Sequence, residues 1–168
     1  DQANDIDRVI REAGLSLSMI LITHGHFDHV LAVPGLVEKW PNTPVYVHNK
    51  EVNWEFKGDQ YMLLAPIPEI KTVKEGDIID FAGAQIAVLH TPGHSPCSVR
   101  YKVGDVLFAG DTLFAGSCGR TDLPGGDGQT IVLSLERLAE LEGDYTVYPG
   151  HGGATTLARE RAHNPYMR

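Results

Sequence analysis

Three histidines and an aspartate crowd into one short stretch of this chain, His24-Gly25-His26-Phe27-Asp28-His29. Imidazoles and carboxylates at this density can coordinate a metal, provided that donors from elsewhere complete the set. Three such donors stand in similar surroundings: His94 in Thr91-Pro92-Gly93-His94, Asp111 in Gly110-Asp111, and His151 in Pro149-Gly150-His151-Gly152. Each of the four groups follows a segment that reads as a strand, in a loop that contains glycine. Strand ends along one edge of a sheet can converge on one point, and loops held by a rigid scaffold are where ligands and catalytic groups sit. Five imidazoles and two carboxylates without a thiolate suit zinc, iron, manganese or cobalt, not copper(I) or an iron–sulfur cluster. Seven donors are too many for one tetrahedral zinc. They suit two neighbouring ions, about 3.5–4 Å apart, that share one bridging carboxylate. His24 and His26 are two apart, so extended backbone turns both to one side. Asp28 and His29 are adjacent and must diverge, which suits the second ion.

The elements that position these groups can be read from periodicity. Ile6, Val9, Ile10 and Ala13 form an apolar stripe that predicts a helix over 4–13, closed by Gly14. Residues 17–22 read as a buried strand that ends at the first histidine group. A helix follows from about Asp28 to Trp40, with Val30, Val33, Val37 and Trp40 on one face; Pro34 should kink it and Pro41 should end it. Residues 45–48 read as a strand, 50–56 as a short helix, and 57–68 as a mobile or substrate-facing loop. From Glu69 onward the period becomes two, predicting strands at 70–73, 78–81, 84–90, 98–103 and 106–109 with glycine turns between several of them. A glycine-rich loop at 115–128 leads to a helix over 129–141 with Ile131, Leu135 and Leu138 inward. A strand at 145–148 and a last helix from near Thr155 complete the chain. Helices on either side of a block of strands define a mixed α/β domain, of the α+β kind, in which helices cover a largely antiparallel sheet.

The chain has 168 residues, 42% of them apolar and 21% charged, which fits one globular domain with its own core. A net charge of −8 without a basic block argues against nucleic acid. No apolar run is long enough to span a bilayer, and the first residues carry neither a basic start nor an apolar stretch, so no membrane partner and a cytoplasmic location are expected. Two cysteines, Cys97 and Cys118, read as thiols of a reducing compartment. His48, His90 and His163 lie within or at the ends of predicted elements and are assigned to packing or surface. A serine hydrolase would need a nucleophile in Gly-x-Ser-x-Gly, which Ala115-Gly116-Ser117-Cys118-Gly119 does not match.

Thr23-His24-Gly25-His26-Phe27-Asp28-His29 resembles the His-x-His-x-Asp-His signature of the metallo-β-lactamase superfamily. Thr91-Pro92-Gly93-His94-Ser95-Pro96, Gly110-Asp111-Thr112-Leu113-Phe114 and Pro149-Gly150-His151-Gly152 resemble later motifs of its glyoxalase II-like branch, as does the ending Glu160-Arg161-Ala162-His163-Asn164-Pro165. The resemblance implies an αββα sandwich with metals at one edge of the sheets. It assigns His24, His26 and His94 to a first ion and Asp28, His29 and His151 to a second, with Asp111 as bridge. It implies two divalent ions, zinc first and iron or manganese otherwise. The reaction it implies is hydrolysis of a small-molecule thioester or ester by a metal-bridging hydroxide, with Asp28 orienting the nucleophile or carrying a proton. Family members carry N-terminal strands ahead of the helix at 4–13, so the sandwich is expected to lack strands here. Either the chain is cut short, or another segment or subunit supplies them, the latter as a homo-oligomer. Arg120-Thr121-Asp122 stands where the glyoxalase II branch has its Lys-x-Tyr recognition element; Arg120 either holds an anionic substrate group or pairs with Asp122. Cys97 replaces a usual glycine and is expected to be inert packing. The alternative on the same fold is a persulfide dioxygenase with one iron. β-Lactam hydrolysis ranks lower, because aspartate and not cysteine stands at the bridging position.

Overall fold

A computed structural model describes residues 2–52 and 67–168. The chain forms two compact units, residues 1–72 and 73–168.

The first unit opens with helix α1 (Gln2–Glu12), which closes at Gly14, where φ is +68°. The helix forms as predicted, but its buried face differs. Ile6 and Val9 are exposed, and Ala3 is the buried residue. Two features draw that face inward. Gly35 comes so close that a side chain there would strike the Ala3 methyl, and Trp40 Nε1 donates to Asp7 Oδ1 at 2.9 Å. Arg11 lies over the Trp40 ring, 4.6 Å from its centroid. Strand β1 is only Ile20–Leu21; of the stretch predicted as a strand, these two residues pair with a neighbour. The single helix expected over 28–40 is two, α2 (Phe27–Val30) and α3 (Val33–Lys39). Pro34 has no N–H to give and its ring excludes the carbonyl four residues back, so the chain restarts a helix with proline in its first turn. Strand β2 (Val45–His48) runs parallel to β1 and is followed by the short helix α4 (Asn49–Val52). Strand β3 (Ile70–Val73) completes a three-stranded sheet of order β1-β2-β3. Val45 and Val47 on β2 pack with Ile22, Val30, Val33 and Val37 into one core. The predicted helix beyond Val52 and the predicted loop up to residue 66 lie outside the described residues.

The second unit is built on a six-stranded sheet. Its strands are β4 (Ile78–Phe81), β5 (Ala84–His90), β6 (Val99–Val103), β7 (Val106–Gly110), β10 (Thr146–Pro149) and β11 (Thr155–Thr156). A two-stranded hairpin, β8 (Leu113–Phe114) and β9 (Ser117–Cys118), lies between β7 and the helix α5 (Gly128–Ala139). Helix α6 (Leu157–His163) and a short 3-10 turn at Pro165–Met167 end the chain. The sheet order is β11-β10-β7-β6-β5-β4, antiparallel throughout except for the parallel pair β7/β10. Leu107, Ala109 and Val147 on the sheet bury against Ile131, Leu135 and Leu138 of α5, with Leu113, Leu157 and Met167 completing the core. Asp127 caps α5, accepting from Thr130 N at 2.6 Å. The loop expected at 115–128 therefore begins as a hairpin arm, and the last helix starts after a strand at Thr155–Thr156, not at it.

Candidate metal centre

In the first unit the chain leaves β1 and turns through Thr23–His26 into α2. His24 and His26 are both buried, their rings edge to face with centroids 4.7 Å apart. The His29 ring is tilted against His24 as well, 4.1 Å away centroid to centroid. His24 Nδ1 is 3.2 Å from Thr23 Oγ1. Asp28 and His29 do not diverge as expected: His29 Nε2 lies 3.5 Å from Asp28 Oδ2. Extended backbone would turn neighbours to opposite sides, but both residues lie in α2, where a step is about 100°. Three imidazoles and one carboxylate of this unit thus form one group. A side chain at Gly25, between the two histidines, would fall on the carboxylate of the buried Glu51 and force it to move.

In the second unit His94, Asp111 and His151 emerge after β5, β7 and β10. One carboxylate oxygen, Asp111 Oδ2, lies 3.5 Å from His94 Nε2 and 3.3 Å from His151 Nε2. His94 and Asp111 are buried, while the His151 side chain is 55% exposed. His94 Nδ1 is 2.7 Å from the Arg120 carbonyl, which can only accept. The proton of a neutral His94 ring is therefore on Nδ1, and Nε2 presents a lone pair toward Asp111, the form in which imidazole binds a metal. Two imidazole nitrogens about one carboxylate oxygen, together with this fixed tautomer, fit a divalent cation. Beyond the first turn of the site, Ser134 Oγ donates to Pro92 O at 2.7 Å and Asp127 N donates to Gly93 O at 2.8 Å, which anchors the His94 loop to α5. Gly150 N donates to Gly110 O at 2.8 Å, tying the Asp111 and His151 loops together.

Several contributors were not visible in the sequence. The Arg120 carbonyl that orients His94 is one, since backbone groups leave no trace in residue type. The Arg120 guanidinium forms a two-pronged pair with Asp122, the second of the two roles the sequence offered for it, both contacts at 2.6 Å, and these hydrogen bonds bring the Asp122 carboxyl down to about 2. Arg100 is fully buried on β6, donating to Val99 O at 2.7 Å and to Thr112 Oγ1. Burial pushes its guanidinium down to about 9, against the pull of Asp111. Alternation on a strand gave no reason to expect a charge inside. His48 is buried, with Nδ1 3.4 Å from Lys50 N; His90 Nε2 is 2.9 Å from Pro96 O; His163 is exposed on α6. Cys97 is buried and Cys118 half-buried; neither forms a disulfide, and burial pushes the Cys118 thiol up.

The metallo-beta-lactamase superfamily model matches residues 3–151. The probable metallo-hydrolase YqgX of Bacillus subtilis is 36% identical over 176 residues, covering 99% of this chain and 83% of that protein. The hydroxyacylglutathione hydrolase GloC of Haemophilus influenzae is 32% identical over 181 residues, covering 99% and 85%. Among solved structures, TTHA1623 in a di-iron-bound form is similar at TM-score 0.84 and 39% identity, over 99% of this chain and 85% of that one. BLEG-1, a B3 metallo-beta-lactamase, is similar at 0.85 and 34%, over 98% and 84%. ETHE1 from Myxococcus xanthus is similar at 0.82 and 31%, over 98% and 68%. The chain belongs to the metallo-beta-lactamase superfamily, and its mixed α/β sheets and helices match those of its neighbours. Its relatives include hydroxyacylglutathione hydrolases and ETHE1-like structures, in line with the resemblance to the glyoxalase II-like branch. Among the described residues no helix is long and apolar enough to cross a membrane.

Proposed function

We propose that the protein is a glyoxalase II-like hydrolase of a small thioester or ester that works with two divalent ions. By the family resemblance, His24, His26 and His94 would hold one ion, Asp28, His29 and His151 the other, and Asp111 would serve both. The observation that carries this reading is Asp111 Oδ2, approached by the Nε2 atoms of both His94 and His151 at 3.5 and 3.3 Å. The His24–His26–His29 group and the family membership support it. Zinc is the first choice and iron or manganese the alternatives; the di-iron form of TTHA1623 supports iron. Ions held there would lower the pKa of a coordinated water to about 7 and offset charge that develops on the carbonyl oxygen. Asp28, its side chain 37% exposed beside His29, orients the attacking water or accepts its proton. Arg120 is exposed, and a substrate carboxylate can take the place of Asp122 on its guanidinium fork. The reaction needs no nucleic acid or membrane, and we place it in the cytoplasm.

Hydrolysis of S-lactoylglutathione by the metal-loaded protein tests this reading, with His26→Ala as control. Loss of one ion ligand should lower kcat/KM by at least about 100-fold. Equal rates for the two proteins would end the assignment for that substrate. The likeness to ETHE1 favours a second reading, a persulfide dioxygenase with one iron. One iron per chain with oxygen uptake on glutathione persulfide would select it. Two ions and no oxygen uptake would exclude it. Turnover of nitrocefin would select β-lactam hydrolysis, the reading that BLEG-1 supports.

A further inference from the structure

Glu160 on the last helix and Asn164 directly after it are fully buried polar side chains for which metal binding has no direct use. Both reach the tip of the β8–β9 hairpin. Glu160 Oε2 accepts from Gly116 N at 2.7 Å and from Asn164 Nδ2 at 3.0 Å. Glu160 Oε1 accepts from Thr155 Oγ1 at 2.6 Å and Arg159 Nη1 at 2.7 Å. Asn164 Nδ2 also donates to Ser117 O at 2.9 Å and Phe114 O at 3.3 Å. The tip is thus gripped at the backbone of Phe114, Gly116 and Ser117. Gly116 is in the left-handed region, at φ +74°, so the turn presents its N–H to the carboxylate at no steric cost.

The same hairpin supports all three site residues of this unit. The Phe114 ring meets the His151 ring edge to face at 6.1 Å. Directly after β9, Gly119 lies so close to Asp111 O and to the His94 ring that a Cβ there would collide with the first and come within 3.2 Å of His94 Cγ. Arg120 then offers the carbonyl 2.7 Å from His94 Nδ1. We propose that Glu160 and Asn164 are positioning residues: by fixing the hairpin tip they hold the Arg120 carbonyl, and through it the His94 imidazole, in the orientation that binds metal. This rests on the metal reading above only in its consequence for affinity; the orientation of the ring can be read without metal.

The test uses the full chain with Asn164→Ala and Glu160→Gln, the second keeping the side chain's shape. Ile79→Ala, a buried position on β4 at the opposite edge of the sheet from β11, serves as a destabilised control. Two quantities are measured: zinc affinity by competition with a chromophoric chelator, and solvent exchange of the His94 Nδ1–H by imidazole NMR of metal-free protein. Both clamp variants should raise the zinc Kd and the exchange rate at least about 10-fold, the size of other outer-shell effects. Ile79→Ala should lower Tm and leave both within twofold. The proposal is overturned if the clamp variants stay within twofold of wild type, or if the control moves both quantities as far as they do. If Asn164→Ala gives no cooperative melt, Glu160→Gln decides. Wild-type protein that takes up no zinc defeats the metal reading, and the exchange rate then decides the clamp separately.

Discussion

Gly93 has a φ of +131°, and a Cβ at that position would lie on the backbone of Ile131 in α5. The residue before His94 therefore has to be glycine for two independent reasons, backbone conformation and close approach. Gly93→Ala should destabilise the protein by about 3 kcal/mol or more, read as a lower urea midpoint, because α5 must move or the His94 loop must refold. A midpoint within experimental scatter of wild type would contradict the close approach. Glu160 allows a second test on one residue. Burial alone would raise its carboxyl, but the bonds from Thr155, Gly116, Asn164 and Arg159 prevail and hold it below its ordinary 4.5. A carboxyl depressed in the folded state adds stability above its unfolded value and loses it as pH falls through its folded one. Stability should therefore drop as the pH is taken below about 4.5, and Glu160→Gln should flatten that part of the profile. The histidines and carboxylates proposed as metal donors stand out in the sequence because their types and spacing are unusual. Their supports do not, since Arg120 acts through a carbonyl and Arg100 is a charge where strand alternation expects none.

At the scale of elements, legibility follows how local the determining forces are. Strands over 70–73, 78–81 and 84–90 agree to the residue with the alternation that predicted them, because glycine turns such as Gly76 and Gly83, both at positive φ, set their limits. Strands β8, β9 and β11 are two residues each, and no period can be read from so short a piece. β8 and β9 pair with each other across Ala115-Gly116, and β11 folds back onto β10. The stripe on α1 misled for a related reason: hydrophobic spacing predicts a buried face, yet Gly35 and the Trp40–Asp7 bond turn Ala3 inward. The N-cap of α5 is a local device whose contribution can be isolated. Asp127→Ala removes the acceptor 2.6 Å from Thr130 N and should cost about 1 kcal/mol, or roughly 2–4 °C in Tm. Asp127→Ser should recover most of it. No recovery would mean that the loss does not come from the missing cap acceptor.

For the molecule as a whole, the proposed two ions, if bound only by the folded chain, would add to its stability. At free zinc 100 times the dissociation constant each ion adds about 2.7 kcal/mol, about 5.4 for the two, so chelator-treated protein should melt roughly 10–20 °C below the zinc-loaded form. Identical melting curves would count against the two-ion reading whatever the substrate. The larger sheet adds a consequence of its connectivity. It is antiparallel except where β7 meets β10, and those two strands run the same way, so Asp111 and His151 leave the sheet at one end, side by side. Parallel neighbours cannot be joined by a tight turn; the chain between them must travel back across the whole strand length. Here that return path holds the β8–β9 hairpin and α5. Its far bend, Glu142-Gly143-Asp144, is tied to α6, where Arg161 donates to Gly143 O at 2.6 Å and Ala158 N to Asp144 Oδ1 at 2.7 Å, so the route that brings the two exit points together also anchors the helix that bears Glu160.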